Sequence, residues 1–478
     1  MASETIPAPW DRAAPEDQLF VLITGANSGI GLGIGERLID EFLATRPETS
    51  HLVLLPTTRS ATKSAETVRH LYAHAARSAS SSPRFSTSPA AASAAAARVH
   101  VLSPQLDLCD IPAIYELADD LCTGTLSNPA GGVGGHLRGV AIPRLDSIVC
   151  NAAYGGWSGV NYAVAVWKML TDGFVQSVTW PTFKNALPTA LLNKKKGYDY
   201  PDEPLLGEVF SACVFGHYLL ARRLLPLLNR PAGSALSPGR IIWSSSVEAV
   251  RDVFSASDLQ AFRPGAAPYE SAKRLTDVLS LTHTLPSVRK YSTPYLTADS
   301  DDSDDNNDDD QDDAVVRARM YLTHPGVVAS TLFPLPWFLF WAYELSLAFA
   351  RWAGSPWHTV DAYSGAKSAA YVVLQPQAAL DERDAERVKW GSASDRSLAV
   401  DVKRTEVEGW GWQGRVEGGK EDGDEAGVAG VFRKSVGRKR GVVDVSEESL
   451  AEFEETGAEV WRQMEELREK WEEILDLV

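Results

Sequence analysis

Residues 18–31 read QLFVLITGANSGIG, and this stretch indicates the fold class of the chain. The run from Gln18 to Thr24 is short and apolar, which predicts a buried strand. Glycines at positions 25, 29 and 31 follow, and the apolar periodicity from Ile30 to Leu43 predicts a helix. A glycine-rich turn between a strand and a helix lets a pyrophosphate approach the backbone at the positive end of the helix. The stretch therefore predicts a dinucleotide-binding site.

Strand and helix patterns continue to alternate beyond this turn. Apolar runs predict strands at residues 51–58, 98–103, 145–151, 240–245 and 315–323, and further segments predict helices at 61–78, 111–122, 204–228 and 269–285. Such alternation is typical of a doubly wound parallel sheet with helices on both faces, the Rossmann type of α/β fold. We divide the chain into an N-terminal tail (1–17), a nucleotide-binding domain (18–380) and a C-terminal extension (381–478).

Two low-complexity stretches lie within this domain. Residues 79–97 are rich in serine and alanine, which indicates a solvated, disordered insertion. Residues 297–313 include ten aspartates, and their mutual repulsion indicates a second disordered insertion. The spacing of an EF-hand is absent from this acidic run, so we do not expect a calcium site.

The C-terminal extension ends in a predicted amphipathic helix from Ser446 to Leu477. Ser446 can cap this helix, and acidic residues follow in its first turn. Apolar residues then recur mostly at spacings of three and four, which gives one apolar stripe. The stripe predicts a helix that docks on the main domain or, alternatively, binds a partner protein.

Composition excludes several classes of function. The formal net charge of −17 argues against a general nucleic-acid-binding surface. The four cysteines form no CxxC pair, and the nine histidines form no HExxH pattern, so we expect a reducing compartment and no metal site. The N-terminus lacks the basic region and apolar core of a signal peptide.

The end of the second predicted strand indicates which dinucleotide binds. In this fold that position lies beside the adenosine ribose, where an acidic residue would select NAD. The sequence there is Thr58-Arg59, with Lys63 four residues after Arg59. Two cations can pair with a 2′-phosphate, so the sequence favours NADP(H).

A tyrosine and a lysine four residues apart mark a candidate catalytic pair. Tyr269 and Lys273, in YESAK, would share one face of a helix. The lysine ammonium would stabilise a phenolate and lower the pKa of the tyrosine. The pair follows the strand and serine run IIWSSS, which ends at Ser246, and this order makes the pattern far more specific.

These motifs occur in the order TGANSGIG, NAA (151–153), the serine run, YESAK and HPGVV (324–328). The order resembles that of the short-chain dehydrogenase/reductase family, over roughly residues 18–335. Longer matches, among them TTRS, NAAYGGW and VFGHYLL, resemble the fungal 3-ketosteroid reductases. The resemblance implies NADPH-dependent reduction of a sterol 3-ketone to the 3β-hydroxyl during sterol C4 demethylation. Reduction of another lipid carbonyl, such as a retinoid or ketoacyl group, and an inactive cofactor-binding regulatory paralogue are the alternatives.

The resemblance also implies roles for individual residues. Tyr269 would protonate the developing alkoxide, Lys273 would lower the tyrosine pKa and hold the nicotinamide ribose, and Ser246, or alternatively Ser245, would bind the substrate carbonyl. Cys213 stands where many relatives carry an asparagine that supports a proton relay, and a thiol replaces an amide poorly. The full set of implied cofactor-binding residues is Gly25, Asn27, Ser28, Gly29, Ile30, Gly31, Leu32, Thr58, Arg59, Lys63, Asp107, Asn151, Tyr269, Lys273, Val328 and Ser330.

An apolar, tryptophan-rich segment at 332–353 follows the last of these motifs. Its core, Leu332–Ala350, carries one charge, Glu344, and approaches the length of a membrane span. Three interpretations stay open: a lid that docks on a membrane surface, a buried core helix, or a span. The resemblance implies a sterol ketone substrate, a place on the cytosolic face of the endoplasmic reticulum membrane or on a lipid droplet, and contact with other sterol-pathway enzymes.

Overall fold

A computed structural model of the chain describes residues 7–129, 132–194, 202–297, 315–330, 335–416 and 437–477. The strands in these residues are β1 (Gln18–Ile23), β2 (His51–Pro56), β3 (Val99–Val101), β4 (Ser147–Cys150), β5 (Trp157–Val160), β6 (Lys184–Ala186), β7 (Arg230–Pro231), β8 (Arg240–Ser244), β9 (Val315–Val316), β10 (Arg319–His324), β11 (Lys389–Ser394) and β12 (Val400–Thr405). The α-helices are α1 (Gly29–Thr45), α2 (Ala61–Ser81), α3 (Pro89–Ala96), α4 (Ile111–Cys122), α5 (Tyr162–Thr171), α6 (Phe174–Thr179), α7 (Glu208–Phe210), α8 (Gly216–Arg223), α9 (Leu225–Leu228), α10 (Pro268–Thr282), α11 (Arg289–Leu296), α12 (Trp337–Trp352), α13 (Ala362–Gly365), α14 (Lys367–Leu374), α15 (Gln377–Glu382) and α16 (Glu447–Ile474).

Eight of these strands form one twisted sheet in the order β12-β11-β10-β8-β4-β1-β2-β3. Every neighbouring pair is parallel except β11 and β12, which are antiparallel. The chain moves outward from β1 through β2 and β3, then returns to β4 and moves outward in the opposite direction. The sheet is therefore doubly wound, as predicted, and its topological switch point lies between β1 and β4.

Alternating side chains of the strands feed two apolar cores, one on each face of the sheet. Phe20 and Leu22 of β1 join the core that includes residues of α4, α8, α10 and α16. Val21 and Ile23 join the opposite core, which includes residues of α1, α2 and α14. A strand that is buried on both faces reads as a continuous apolar run, which is why β1 could be predicted from QLFVLI.

The C-terminal helix docks on the main domain, and the prediction of docking is confirmed. Ser446 caps α16 by accepting a hydrogen bond from Ser449 N, and the serine at 449 completes a capping box. Trp461 is buried between Tyr218 and Tyr295, with ring centroids at 5.7 and 5.3 Å, and its Nε1 donates to Leu279 O. The N-terminal tail also packs, since Trp10 is buried in the same core.

The predicted disordered insertion at 79–97 is wrong for most of its length. Helix α2 continues to Ser81, and α3 covers Pro89–Ala96. Ser88 caps α3 by accepting from Ala91 N, and Ala92 and Ala95 are buried. Alanine has the highest helix propensity, so its small methyl groups build a packed helix in a stretch whose low complexity suggests a loop. The predicted insertion at 297–313 lies outside the described residues apart from Thr297.

The domain boundary predicted at residue 380 is too early. Strands β11 and β12 extend the main sheet to Thr405. Strand β11 is buried along its whole length although it carries Lys389, Ser392 and Ser394. Each of these polar side chains forms a hydrogen bond inside the protein. Because KWGSAS is largely polar, a search for apolar runs in the sequence does not predict this buried interior strand.

Candidate active site

The glycine-rich turn lies at the carboxyl end of β1, beside the switch point. Gly25 has a φ of +63°, and a Cβ there would lie 2.9 Å from Ala152 Cβ. A Cβ at Gly31 would lie 2.5 Å from Gly25 O, so both positions require glycine. Gly29 has a φ of +55° and no atom within 4 Å of its Cβ position. The turn is thus packed tightly against the protein and open at Gly29.

This geometry fits the phosphates of a dinucleotide. Ser28 is the N-cap residue of α1, and its side chain makes no capping hydrogen bond. The first N–H groups of a helix need partners, and the positive end of the helix favours an anion. The turn is also tied to the neighbouring strand, because Ala26 N donates to Thr57 O at 3.1 Å.

Thr24 and Asn151 join the ends of β1 and β4 at the centre of the site. Thr24 Oγ1 accepts hydrogen bonds from Asn151 N at 2.9 Å and Ala152 N at 3.0 Å. Asn151 Nδ2 donates to Thr24 O at 3.0 Å. His217 Nε2 lies 2.8 Å from Thr24 Oγ1, and burial lowers the pKa of His217 to about 3, so this ring is neutral. The predicted residue Asn151 therefore lies next to the glycine-rich turn.

The residues predicted to contact the adenosine end lie at the ends of β2 and β3. Arg59 and Lys63 are exposed, whereas Thr58 is buried and bridges to Gln105 beyond β3. Asp107 Oδ1 accepts from Cys109 N at 3.0 Å. Burial raises the pKa of the Cys109 thiol, and the Asp107 carboxylate adds to the increase.

Val328 and Ser330 follow β10, on the other side of the switch point. Val328 is buried and pairs with Val360 in a short parallel bridge, and Ala329 N donates to Val360 O. The turn before them needs Gly326, whose φ is +75° and whose Cβ would lie 2.3 Å from Trp357 O. Both residues thus lie beyond the carboxyl end of the sheet, where the resemblance places them.

Ser246, Tyr269 and Lys273 come together at the ends of β8 and α10. Contact with the Ser246 side chain acts to lower the pKa of Tyr269, although the net shift is upward. Glu248 N donates to Ser246 Oγ at 3.1 Å. Lys273 Nζ donates to Ser244 O at 2.6 Å and lies 5.6 Å from the centroid of the Tyr269 ring. Ser245 Oγ instead donates to Asp277 Oδ1, which favours Ser246 as the candidate for binding a carbonyl.

The expected lowering of the Tyr269 pKa by Lys273 is not observed. Burial raises the pKa of Tyr269 well above its ordinary value, and the carboxylate of Glu248 adds to the increase. Burial lowers the pKa of Lys273, whose ammonium is directed to the Ser244 carbonyl oxygen. Tyr269 therefore holds its proton at neutral pH, as a proton donor to a ketone must.

Cys213 lies in a π-helical segment, Ser211–Phe215, that interrupts the helix predicted over 204–228. Tyr154 N donates to Cys213 Sγ at 3.4 Å, and the thiol in turn donates to Tyr154 O at 3.5 Å. Burial raises the pKa of this thiol, so it stays protonated. The Cys213 thiol thus binds the backbone of the segment that follows Asn151. In many relatives an asparagine amide would stand in place of this thiol.

Sequence reasoning missed a buried charge cluster that covers the catalytic tyrosine. Lys184 of β6 contacts both Glu248 and Glu270. Its ammonium lies 3.8 Å from the centroid of the Trp157 ring, and that ring meets the Tyr269 ring at 4.6 Å. Burial raises the pKa of Glu248. Lys184 carried no sequence signal because its partners lie 64 and 86 residues away.

Helix α12 contradicts the buried-core interpretation of the apolar segment. Trp337 is 87% exposed and Trp341 is 62% exposed, and Leu347 and Ala350 are the helix residues that are buried. Tyr343, on the same helix, is close enough to Glu248 for that carboxylate to add to the pKa increase caused by burial. Among the described residues, none of the helices combines the length and apolar character that crossing a bilayer requires. Helix α12 therefore borders the catalytic site and leaves an apolar face exposed.

Comparison with known proteins places the chain among reductases. It is 57% identical over 480 aligned residues to the 3-keto-steroid reductase of Gibberella zeae, which covers 99% of both chains. It is 38% identical over 477 residues to that of Aspergillus fumigatus, covering 98% of this chain and 97% of that one. Salutaridine reductase from Papaver somniferum has a solved structure that matches 75% of this chain and 96% of its own, with 15% identity and a TM-score of 0.39. No protein-family model matches the chain.

The doubly wound sheet, the glycine-rich turn at its switch point and the set of Ser246, Tyr269 and Lys273 define an oxidoreductase of the short-chain dehydrogenase/reductase class. Sequence identity of 57% and 38% over nearly the whole chain identifies the family within this class. The chain belongs to the family of fungal 3-keto-steroid reductases.

Proposed function

We propose that this protein reduces the 3-ketone of a sterol to the 3β-hydroxyl, with NADPH as the reductant, during sterol C4 demethylation. One observation carries the proposal. In a chain of this family, two hydroxyl side chains, that of Ser246 after β8 and that of Tyr269 in the first turn of α10, lie at the same edge of the sheet as the glycine-rich turn. A carbonyl oxygen placed between these two hydroxyls would accept a hydrogen bond from each.

The chemistry needs one hydride and one proton. NADPH, when bound, supplies the hydride to the carbonyl carbon. Tyr269 gives its phenolic proton to the carbonyl oxygen, which becomes the hydroxyl of the product, and the phenolate then regains a proton from solvent. Ser246 holds the oxygen during the transfer, because the donor Glu248 N occupies one lone pair of Ser246 Oγ and leaves its proton free to face the substrate.

The cofactor preference follows from the cations at the end of β2. Arg59 and Lys63 are exposed at the position where this fold places the adenosine ribose. Guanidinium groups bind phosphate oxygens in a bidentate manner. The pair therefore supports NADPH over NADH.

A substrate panel tests the proposed function. Purified protein is incubated with NADPH and, separately, a 3-keto sterol, all-trans-retinal and a 3-ketoacyl thioester. Oxidation of NADPH is followed by absorbance, and products are identified by mass spectrometry. We expect the 3-keto sterol to give the 3β-alcohol with the highest kcat/KM of the three. A preference for retinal or the thioester would contradict the assignment of the substrate.

We further propose that the protein docks on the cytosolic surface of the endoplasmic reticulum membrane or of a lipid droplet. The docking surface is the exposed apolar face of α5 and α12. Trp167 and Leu170 of α5 are 64% and 77% exposed. Helix α6 packs against both helices, and its Phe174 meets Phe349 of α12 edge-on at 5.3 Å, so α5 and α12 both adjoin α6. Helix α5 carried no sequence prediction.

The chemistry of this face suits a bilayer interface. Tryptophan side chains favour the headgroup boundary, and three of them lie on α12. Each apolar side chain buried in lipid would contribute about 1.5–3 kcal/mol before ordering costs, so several together suffice for peripheral binding. A sterol dissolved in the membrane would then reach the catalytic site from the surface that α12 borders.

A flotation experiment tests the docking proposal. With liposomes of phosphatidylcholine and phosphatidylserine, we expect the wild-type protein to float in a density gradient. Replacing Trp337, Phe338 and Trp341 with serine, or Trp167 and Leu170 with serine, should each shift protein to the soluble fraction and raise the KM for a membrane-delivered sterol. Val443→Ser, at an exposed apolar position on another segment, is the matched control and should float normally. A wild-type protein found wholly in the soluble fraction would refute the docking proposal.

A further inference from the structure

A buried ion pair lies directly behind the catalytic serine, and the chemistry described above does not use it. Lys389 of β11 donates from Nζ to Asp277 Oδ2 of α10 at 2.8 Å. Both side chains are buried, at 3% and 1% exposure. Burial lowers the pKa of Lys389, and the carboxylate of Asp277 opposes that change.

Both members of the pair also bind the end of β8. Lys389 Nζ donates to Ser246 O at 2.7 Å. Ser245 Oγ donates to Asp277 Oδ1 at 2.5 Å. One residue earlier, Ser244 O accepts from Lys273 Nζ at 2.6 Å. Three consecutive residues of the catalytic segment are thus each held by a charged side chain.

These bonds determine where the catalytic hydroxyl points. Successive side chains of an extended segment point in opposite directions. Because Asp277 holds the Ser245 hydroxyl on one side of the segment, the side chain of Ser246 lies on the other side, where its Oγ accepts from Glu248 N. Tyr269, Lys273 and Asp277 recur every four residues and share one face of α10, so a single helix holds the proton donor and its alignment together.

A purely stabilising role would not explain this arrangement. A buried ion pair contributes little net stability, since an apolar pair of similar volume is often as good or better. We infer that Asp277 and Lys389 are positioning residues that fix Ser246 for ketone reduction. The inference rests on the proposed function, because Ser246 must bind a carbonyl for its orientation to matter.

The test replaces the pair with apolar side chains of similar volume, Lys389→Met together with Asp277→Leu. We expect the double variant to keep the melting temperature of the wild-type protein. Its Kd for NADPH should change by no more than about twofold. Its kcat should fall at least about tenfold, with little change in KM. Arg468→Met with Glu465→Leu, at another largely buried ion pair, on α16, is the matched control and should keep its kcat.

A second comparison separates positioning from general damage. In a Ser246→Ala background, the double substitution should lower kcat no further, because its effect acts through Ser246. Ser245→Ala, which removes one oxygen atom, should lower kcat severalfold and keeps the test valid if the double variant does not fold. An unchanged kcat in the double variant or Ser245→Ala, or costs that add in the Ser246→Ala background, would overturn the inference. A wild-type protein that reduces no ketone would instead refute the proposed function and this inference with it.

Discussion

Arg59 is the residue on which cofactor choice depends in this account. A carboxylate at that position would repel the 2′-phosphate and remove a charge-assisted hydrogen bond of about 1.5–3 kcal/mol. We expect Arg59→Asp to lower kcat/KM for NADPH by about 10- to 100-fold and to change the value for NADH little. Arg69→Asp, at an exposed arginine farther along α2, should change neither value. An unaltered preference in Arg59→Asp would show that this residue does not face the phosphate.

The four cysteines should be inert in the folded protein. Burial raises the pKa of Cys109 to about 12 and that of Cys122 to about 11, and it also raises those of Cys150 and Cys213. Thiolates are the reactive form, so a raised pKa leaves each thiol protonated and unreactive at neutral pH. At pH 7.5, a thiol-specific reagent should label no cysteine within minutes and all four after denaturation. Rapid labelling of the native protein would contradict these environments.

The candidate catalytic residues could be recognised in the sequence because chemistry fixes both their type and their local spacing. Tyr269 and Lys273 must lie four residues apart to share a helix face, and Gly25 must tolerate a positive φ. Lys184 and Lys389 follow no such rule. Their partners are distant in sequence, and only tertiary packing brings the charges together. The direction of the Tyr269 pKa shift was mispredicted for the same reason, since burial and the Glu248 carboxylate raise that pKa.

Helix α16 depends on a glycine whose replacement should destabilise the protein. Alanine in a helix is ordinarily favoured over glycine by about 0.8–1.0 kcal/mol. At Gly457, however, a Cβ would lie 2.6 Å from Thr282 Cβ on α10. We therefore expect Gly457→Ala to lower the melting temperature, with a cost of about 1–3 kcal/mol for overpacking.

Thr282→Ala provides the control for this helix contact, because it removes Oγ1 and Cγ2, two of the three Thr282 atoms that a Cβ at Gly457 would meet. The variant Gly457→Ala with Thr282→Ala should be more stable than Gly457→Ala alone. A Gly457→Ala protein that is as stable as the wild type, measured by thermal unfolding, would show that the two helices do not approach so closely.

Elements with a strong periodic signal could be predicted, and elements defined by buried polar groups could not. Strand β1 and helix α16 follow from continuous or striped apolar patterns. Strand β11 was not predicted because it contains a lysine and two serines. Helix α3 was not predicted because its alanine-rich composition suggests a loop. In both cases the stabilising contacts come from other parts of the fold.

At the scale of the whole molecule, function is concentrated at one edge of the sheet. The ends of β1, β4 and β8 hold the glycine-rich turn, Asn151 and Ser246, and α10 brings the proton donor to the same edge. Helix α12 borders this edge and exposes an apolar face. The proposed docking of α12 on a membrane would let a water-soluble cofactor and a membrane-dissolved ketone approach one point from different sides.

The most direct test of this account compares the wild-type protein with Tyr269→Phe in the reduction of a 3-keto sterol by NADPH. The substitution removes the transferable proton and little else, so we predict a kcat lower by about 100- to 10,000-fold. The Kd for NADPH, measured by fluorescence titration, should stay within about twofold, and the wild-type product should be the 3β-alcohol. Equal turnover by Tyr269→Phe, or no 3β-alcohol from the wild-type protein, would contradict the account.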